Sequence, residues 1–338
     1  MATPTQTKCW VLANKPTKNP TLEGAQPTFT LKTENLPPLT ANQLLVKTLY
    51  LSNDPAQRTW VGANVPEGRL YTKPIDVGQV MGARGIGEVI ESTSAKAQKG
   101  DHVLISAGWT EYAVVGEDQV SAIESLPGGL SETHYLGALG GTGLTAYYGL
   151  LVQGEAKRGD KVVVSGAAGA TGSMVVQIAK HILGAGSVIG IAGSDQKCLN
   201  YKSPSFAKDL RDATDANVDV YFDNVGGEIL DMMLPLMALH GRIAACGAIS
   251  AYNGEDALPL KNWFQVITMR LRIHGFIVLD YLNKAPEVRG VLKQAIADGK
   301  LRVDEKSQTV VSSSFEDIPR VWMKLFEGGN TGKLVTRL

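Results

Sequence analysis

Cysteine is scarce in this sequence: Cys9, Cys198 and Cys246 are the only three in 338 residues. Their number is odd and no two stand close together. Neither a disulfide framework nor a clustered thiolate zinc site can be assembled from them, and a reducing compartment is implied. Net charge is also missing, since 33 Lys and Arg balance 33 Asp and Glu. A chain without excess positive charge exerts no long-range pull on phosphate backbones or anionic lipid, so nucleic-acid and membrane-surface roles are disfavoured. No apolar run approaches the roughly 18 residues that span a bilayer, and Met1 to Trp10 shows neither a signal-peptide core nor an Arg-rich amphipathic pattern. A cytoplasmic protein acting on a small molecule is the resulting expectation. The histidines are few and scattered, at positions 102, 134, 181, 240 and 274, which reads as ordinary surface and core placement.

Glycine, in contrast, is plentiful, at 37 residues. The length suits two domains. Up to about residue 125 the chain reads as short β segments broken by Pro and Gly, with strands expected at 43–49, 85–90, 102–106 and 112–115. From about Ser131 longer periodic segments alternate with buried-type strands, the pattern of a doubly wound parallel sheet. Lys161–Ser165 is a β-branched run suited to a central parallel strand. Val175, Ile178, Ala179 and Ile182 make one apolar helix face ended by Gly184. Ser187–Ala192, 218–222, 242–246 and 273–278 supply further strands. Ile229, Leu230, Met233, Leu234 and Met237 predict a helix running to about His240. The tail returns to strands at 308–312 and 333–336 around a helix at 318–326. The division read from this is residues 1–130 with 301–338 for one domain and 131–300 for the other. Arg58 and Lys73 read as solvated charges.

The strongest local motif is Gly166-Ala167-Ala168-Gly169-Ala170-Thr171-Gly172, between a buried strand and an amphipathic helix. Small residues there let the backbone approach a pyrophosphate, and the unpaired amides and positive helix end favour its charge. The second fingerprint glycine is replaced by Ala168, so the strand–turn–helix–strand context carries the reading. NAD-specific sites place an acid at the end of the second strand. That strand here runs into Gly193-Ser194 with Lys197 close by, which suits a 2′-phosphate and hence NADP; Asp195, displaced by a residue or two, would serve the ribose of NAD instead.

The run from Val164 to Gly172, Gly190-Ile191-Ala192-Gly193-Ser194-Asp195-Gln196-Lys197-Cys198, Asp219-Val220-Tyr221-Phe222-Asp223-Asn224-Val225-Gly226-Gly227 and the run from Gly241 to Asn253 resemble the zinc-independent medium-chain dehydrogenase/reductases. Within them the chain is similar to the alkenal double-bond reductase and prostaglandin reductase branch. Gly108-Trp109-Thr110-Glu111-Tyr112, Gly143-Leu144-Thr145-Ala146-Tyr147 and Gly329-Asn330-Thr331-Gly332-Lys333 support the likeness, which covers nearly the whole chain. It implies an α/β protein: a Rossmann doubly wound parallel sheet plus a GroES-like, mainly antiparallel β domain made from both chain ends. It also implies NADPH-dependent reduction of an activated carbon–carbon double bond in a homodimer. Carried over residue by residue, Ser194, Lys197 and Tyr201 would contact the 2′-phosphate, and Gly169, Ala170, Thr171 and Gly172 would face the pyrophosphate. Asn224, Cys246, Phe276, Val278 and Asn330 would flank the cofactor, and Tyr252 would reach the substrate carbonyl. Asn53, Trp60 and Tyr71 are expected to wall the acceptor pocket.

About a dozen residues that the family places between Lys197-Cys198 and Asn200-Tyr201-Lys202 are absent. A parallel crossover needs roughly 10 to 12 residues, so either the numbering skips residues between Cys198 and Leu199 or this rim of the sheet is remodelled; a break between Cys198 and Leu199 is expected, and a normal peptide bond there would put Tyr201 as a ligand in doubt. Where zinc-dependent relatives carry Gly-His-Glu, the chain has Gly78-Gln79-Val80-Met81-Gly82, and neither Gln79 nor Met81 is a suitable zinc ligand; no metal is expected. Quinone reduction and enoyl reduction in a biosynthetic pathway remain as alternative activities, and a cofactor-binding protein without turnover as an alternative class.

Overall fold

The structure is a computed structural model. It describes residues 3–63, 68, 70–194, 198–254, 259–328 and 330–338. Fifteen strands occur among them: β1 (Gln6–Leu12), β2 (Phe29–Asn35), β3 (Gln43–Asn53), β4 (Gly85–Ser92), β5 (His102–Ile105), β6 (Tyr112–Gly116), β7 (Val120–Ala122), β8 (Lys161–Ser165), β9 (Ser187–Ala192), β10 (Leu199–Asn200), β11 (Val218–Asp223), β12 (Met237–Ala245), β13 (Arg272–Gly275), β14 (Gln308–Ser312) and β15 (Lys333–Arg337). They divide between two units, Met1–Leu136 with Thr309–Leu338, and Gly137–Gln308.

The first unit holds the β1–β2 pair and a seven-stranded sheet in the order β14-β15-β3-β4-β5-β7, with β6 also paired to β3. The pairings of β3 with β4, β6 and β15 are antiparallel. Phe29, Trp109 and Trp322 close its core, with ring centroids 5.0 Å apart for Phe29 and Trp109 and 5.8 Å for Trp109 and Trp322. Such aromatic pairs add packing energy beyond the area they bury. Arg58, expected in solvent, is 3% exposed. Its guanidinium donates from Nη2 to the carbonyl oxygen of Lys18 at 2.6 Å, because carbonyls of the loop before β2 give it acceptors that make burial tolerable.

The second unit is a six-stranded parallel sheet in the order β10-β9-β8-β11-β12-β13. Val162, Val163 and Val164 are fully buried, as a strand covered on both faces requires. The helix Ala170–Gln177 runs on through the wider turn Ile178–Leu183 and stops at Gly184, whose φ of 75° is left-handed, the conformation glycine adopts at least cost. The expected helix through Met237 is shorter in the structure. It spans Gly227–Met233, then one tight turn Leu234–Leu236, and Met237 already begins β12. Pro235 has no N–H to continue the helical ladder. Leu234 and Met237 still belong to the same buried cluster as Met233, Val163, Tyr221 and Ile243, which is why the apolar spacing runs on past the helix end. β13 ends at Gly275, short of Val278, where a tight helical segment Val278–Lys284 starts.

At the rim, β10 follows β9 after a short connection. Leu199–Asn200 pairs in parallel with Ile191 and Ala192 of β9, although only the six residues Gly193–Cys198 connect the strands. No helix intervenes among the described residues of that connection. The backbone N–H of Tyr201 then donates to the Ala192 carbonyl at 3.0 Å, so the shortened return still delivers Tyr201 to the end of β9.

Candidate active site

The strand order reverses between β8 and β11: from β8 the sheet proceeds through β9 to β10, and from β11 through β12 to β13. Dinucleotides bind at such a switch point, beyond the carboxyl ends of the strands. β8 ends in Ser165 and β11 in Asp223, and the residues just after them form the site.

After Ser165 the chain turns through Gly166, with φ of 61°. The turn is drawn tight by bonds from Ala167 N to the Ile191 carbonyl, 2.9 Å, and from Gly169 N to the Gly166 carbonyl, 3.0 Å. Gly169 caps the helix that starts at Ala170 and offers no side chain to its amides. The amides of Ala170, Thr171 and Gly172 therefore lie in the first turn, where a helix supplies them no backbone acceptor and its dipole is positive. A Cβ on Gly172 would lie 2.2 Å from the Gly166 oxygen, and one on Gly190 of β9 would lie 2.8 Å from the Ala167 methyl. Both glycines are thus required for helix, turn and strand to pack this closely. The resulting cradle of backbone amides fits a pyrophosphate.

At the end of β9, Ser194 is exposed and Tyr201 is 46% exposed. A Cβ on Gly193 would meet the Tyr201 ring at 3.3 Å and the Lys202 stem at 3.4 Å. Lys197, the cation expected at the 2′-phosphate, and Asp195, its acidic counterpart, lie outside the described residues. Lys202, which sequence reasoning passed over, stands in that neighbourhood, its ammonium 5.8 Å from the Tyr201 ring centroid. Its place follows from the shortened connection, which only the strand pairing discloses.

Beyond β11 and β12 a second group forms. Asn224 donates from Nδ2 to the Ser165 carbonyl at 2.7 Å and from its backbone N to Ser165 Oγ at 2.9 Å. Cys246 and Gly247 donate their backbone N–H groups to the Asp223 carbonyl at 2.9 and 3.1 Å. Burial first, and the Asp223 carboxylate second, push the Cys246 thiol up to about 12, so it stays protonated. Tyr252 is half-buried, and its hydroxyl oxygen accepts the Ala248 N–H at 3.3 Å. Phe276 packs edge-on against Phe222, with centroids 6.2 Å apart. Val278 opens the segment that follows Phe276. The structure thus gathers the turn 166–172, Asn224, Cys246, Tyr252 and Phe276 about the carboxyl ends of one sheet.

The remaining expected residues sit in the other unit. Trp60 donates from Nε1 to the Tyr71 hydroxyl at 3.2 Å, so these two stand together. Asn53 is 1% exposed and bonds Thr336 Oγ1 through Nδ2 at 3.0 Å, while its buried Oδ1 has no partner among the described residues. Asn330, just before β15, donates to the Gly332 carbonyl at 3.2 Å.

Two family profiles match the sequence, the "N-terminal domain of oxidoreductase" over residues 8–123 and the "zinc-binding dehydrogenase" domain over residues 170–295. Prostaglandin reductase 1 of Bos taurus is 36% identical over 325 residues, covering 91% of this chain and 93% of its own. An NADP-dependent 2-alkenal reductase of Nicotiana tabacum is 36% identical over 308 residues, covering 87% of each chain. The chain belongs to the alkenal and prostaglandin reductase branch of the medium-chain dehydrogenase/reductases. A crystal structure of CurA from Vibrio vulnificus in complex with NADPH superposes with a TM-score of 0.86 at 32% identity, covering 98% of each chain.

The second profile's description mentions zinc. At the positions where a zinc-dependent dehydrogenase carries Gly-His-Glu, Gln79 turns its Oε1 back to accept the Asp76 N–H at 2.9 Å, and Met81 is fully buried in the core. Among the described residues no three His, Cys, Asp or Glu side chains are grouped to hold a metal.

Proposed function

We propose that this reductase uses NADPH to reduce the carbon–carbon double bond of α,β-unsaturated aldehydes and ketones, with Tyr252 stabilising the developing enolate. The observation that carries the proposal is the Tyr252 hydroxyl, fixed by the Ala248 amide on the turn that follows β12, at the end of the sheet that bears the pyrophosphate cradle. The names of the bovine and tobacco relatives support the same substrate class.

Ala170, Thr171 and Gly172 would hold the pyrophosphate through their amides with Gly169 beside them, Ser194, Lys197 and Tyr201 would meet the 2′-phosphate, and Asn224, Cys246, Phe276 and Val278 would flank the cofactor. When bound, NADPH supplies the hydride that the β-carbon receives. As negative charge grows on the carbonyl oxygen, the Tyr252 hydroxyl donates a hydrogen bond to it. A donor already aimed at that oxygen favours the transition state over the ground state. A proton from Tyr252 or water completes the α-carbon.

No described helix is long and apolar enough to cross a membrane, in keeping with a cytoplasmic enzyme. β13 lies at the edge of its sheet, and an exposed edge of this kind suits pairing with a second copy about a two-fold axis. Light scattering on the purified protein should report a dimer; a monomer at working concentration contradicts that part.

The test is NADPH oxidation over a panel of enals, enones and quinones, with Tyr252→Phe beside wild type. Turnover of enones should fall on the order of 10²-fold in the variant, as for loss of one such donor. Unchanged turnover removes Tyr252 from the mechanism, and a preference for quinones over enones overturns the substrate class.

A further inference from the structure

We infer that the buried carboxylate of Asp223 is a positioning residue for Tyr252: it holds the turn from which the catalytic tyrosine's own turn hangs. The inference rests on the role assigned to Tyr252 above.

Asp223 is 2% exposed. Its Oδ1 accepts four hydrogen bonds, from Tyr221 Oη at 2.9 Å, Ser165 Oγ at 3.0 Å, Val225 N at 3.0 Å and Gly226 N at 3.0 Å. No cation pairs with it among the described residues. A carboxylate without a counter-charge is costly to bury, and uncharged donors converging on one oxygen are what offsets that cost. The donors come from β8, from β11 and from the turn beyond β11, so the carboxylate fixes that turn against two strand ends at the switch point.

The turn in turn carries the loop after β12. Ile249 N donates to the Asn224 carbonyl at 3.4 Å, and Ser250 donates to the Val225 carbonyl from N at 3.2 Å and from Oγ at 2.7 Å. Gly226 and Gly227, with φ of 68° and 57°, allow the close approach. A Cβ on Gly227 would lie 2.8 Å from Ser250 Oγ. Tyr252 then bonds its backbone N to the Ile249 carbonyl at 3.3 Å and its hydroxyl to Ala248 N. The chain of contacts runs from Asp223 Oδ1 to the Val225 and Gly226 amides, to Ser250 and Ile249, and to Tyr252. An alternative anchor for that loop would be the Asp223 backbone carbonyl alone, which Cys246 and Gly247 use; substituting the side chain separates the two.

The experiment uses the full chain with Asp223→Asn, which keeps the shape and removes the charge, and Ser165→Ala as a second variant should the first fail to fold. Each is made alone and together with Tyr252→Phe. Enone turnover should fall about tenfold, while the NADPH dissociation constant moves less than about threefold, the pattern of an interaction realised in the transition state. In the Tyr252→Phe background the same substitution should cost little further, because residues acting as a unit are not additive. Hydrogen exchange at the amides of Cys246 to Tyr252 should quicken, with β8 unchanged. A tenfold loss that persists undiminished in the Tyr252→Phe background overturns the inference, as does unaltered exchange in that loop. Should Tyr252→Phe by itself leave turnover intact, the Tyr252 reading has failed, and the exchange measurement still decides whether Asp223 holds the loop.

Discussion

Replacing Gly172 by alanine probes the cofactor cradle with the least chemical change available. The added Cβ would lie 2.2 Å from the Gly166 carbonyl oxygen and 2.8 Å from the Ala167 Cα. Ordinary carbon–oxygen contact needs about 3.2 Å or more, so helix and turn must separate by about 1 Å, and the obstacle is backbone that cannot rotate aside. Overpacking of this kind costs about 1–3 kcal/mol. The same 1 Å displaces the amides of Ala170 and Thr171 from the pyrophosphate, and hydrogen bonds to a charged group are worth about 1.5–3 kcal/mol each. Losing the equivalent of one such bond weakens NADPH by about 10- to 100-fold. Gly100→Ala serves as a control, because its Cβ would meet no atom within 4 Å, although its φ of 90° adds local strain. Titration of NADPH fluorescence, paired with thermal unfolding, reads both effects. An alanine at 172 that binds NADPH as wild type does would refute the cradle.

Three further outcomes follow from the geometry. Lys333 is 3% exposed and contacts the Asp54 carboxylate closely. Burial alone would raise the Asp54 carboxyl, but the Lys333 ammonium overrides it and holds the group below its ordinary value of 3.8. Lys333→Met should cost about 2 kcal/mol, less than the 3–5 of a fully buried broken pair because the Asp54 side chain is 34% exposed. A depressed carboxyl stabilises above its unfolded value and loses that contribution as pH falls through the folded one, so the wild-type advantage in melting temperature should shrink below about pH 4; an advantage that grows with acid contradicts the assignment. Cys246, pushed up to about 12, is thiolate to only about one part in 10⁴ at pH 8, and mass spectrometry should find it unalkylated by iodoacetamide under conditions that label an exposed thiol. Gly149→Ala would place a Cβ 2.3 Å from the Phe276 ring and 2.5 Å from Phe222, so overpacking should cost about 1–3 kcal/mol of stability; a melting temperature identical to wild type would contradict that packing.

Much of the fold was legible in the sequence where one physical signal dominated. Lys161–Ser165, Ser187–Ala192 and Gln308–Ser312 appear with the expected bounds, since β-branched runs between turn residues leave little choice. The helix through Met237 was misjudged because apolar spacing reports burial, and a strand entering the same core continues the pattern; Pro235 was the available signal. Arg58 was misjudged because its acceptors are backbone carbonyls of a distant loop, which no side-chain pattern encodes. At the site, the glycine turn after β8 has a local signature in the sequence. Asp223 has none, since its meaning lies in four donors that converge only when β8 and β11 become neighbours. Lys202 was hidden for a related reason, the shortened return from β9 to β10.

Product analysis with NADPH deuterated at its transferable position addresses the central assignment most directly. Incubated with a simple aliphatic enone, the enzyme should yield the saturated ketone with one deuterium on the carbon β to the carbonyl. An allylic alcohol bearing the label on the carbinol carbon, or unlabelled starting enone recovered while the coenzyme stays reduced, would contradict it.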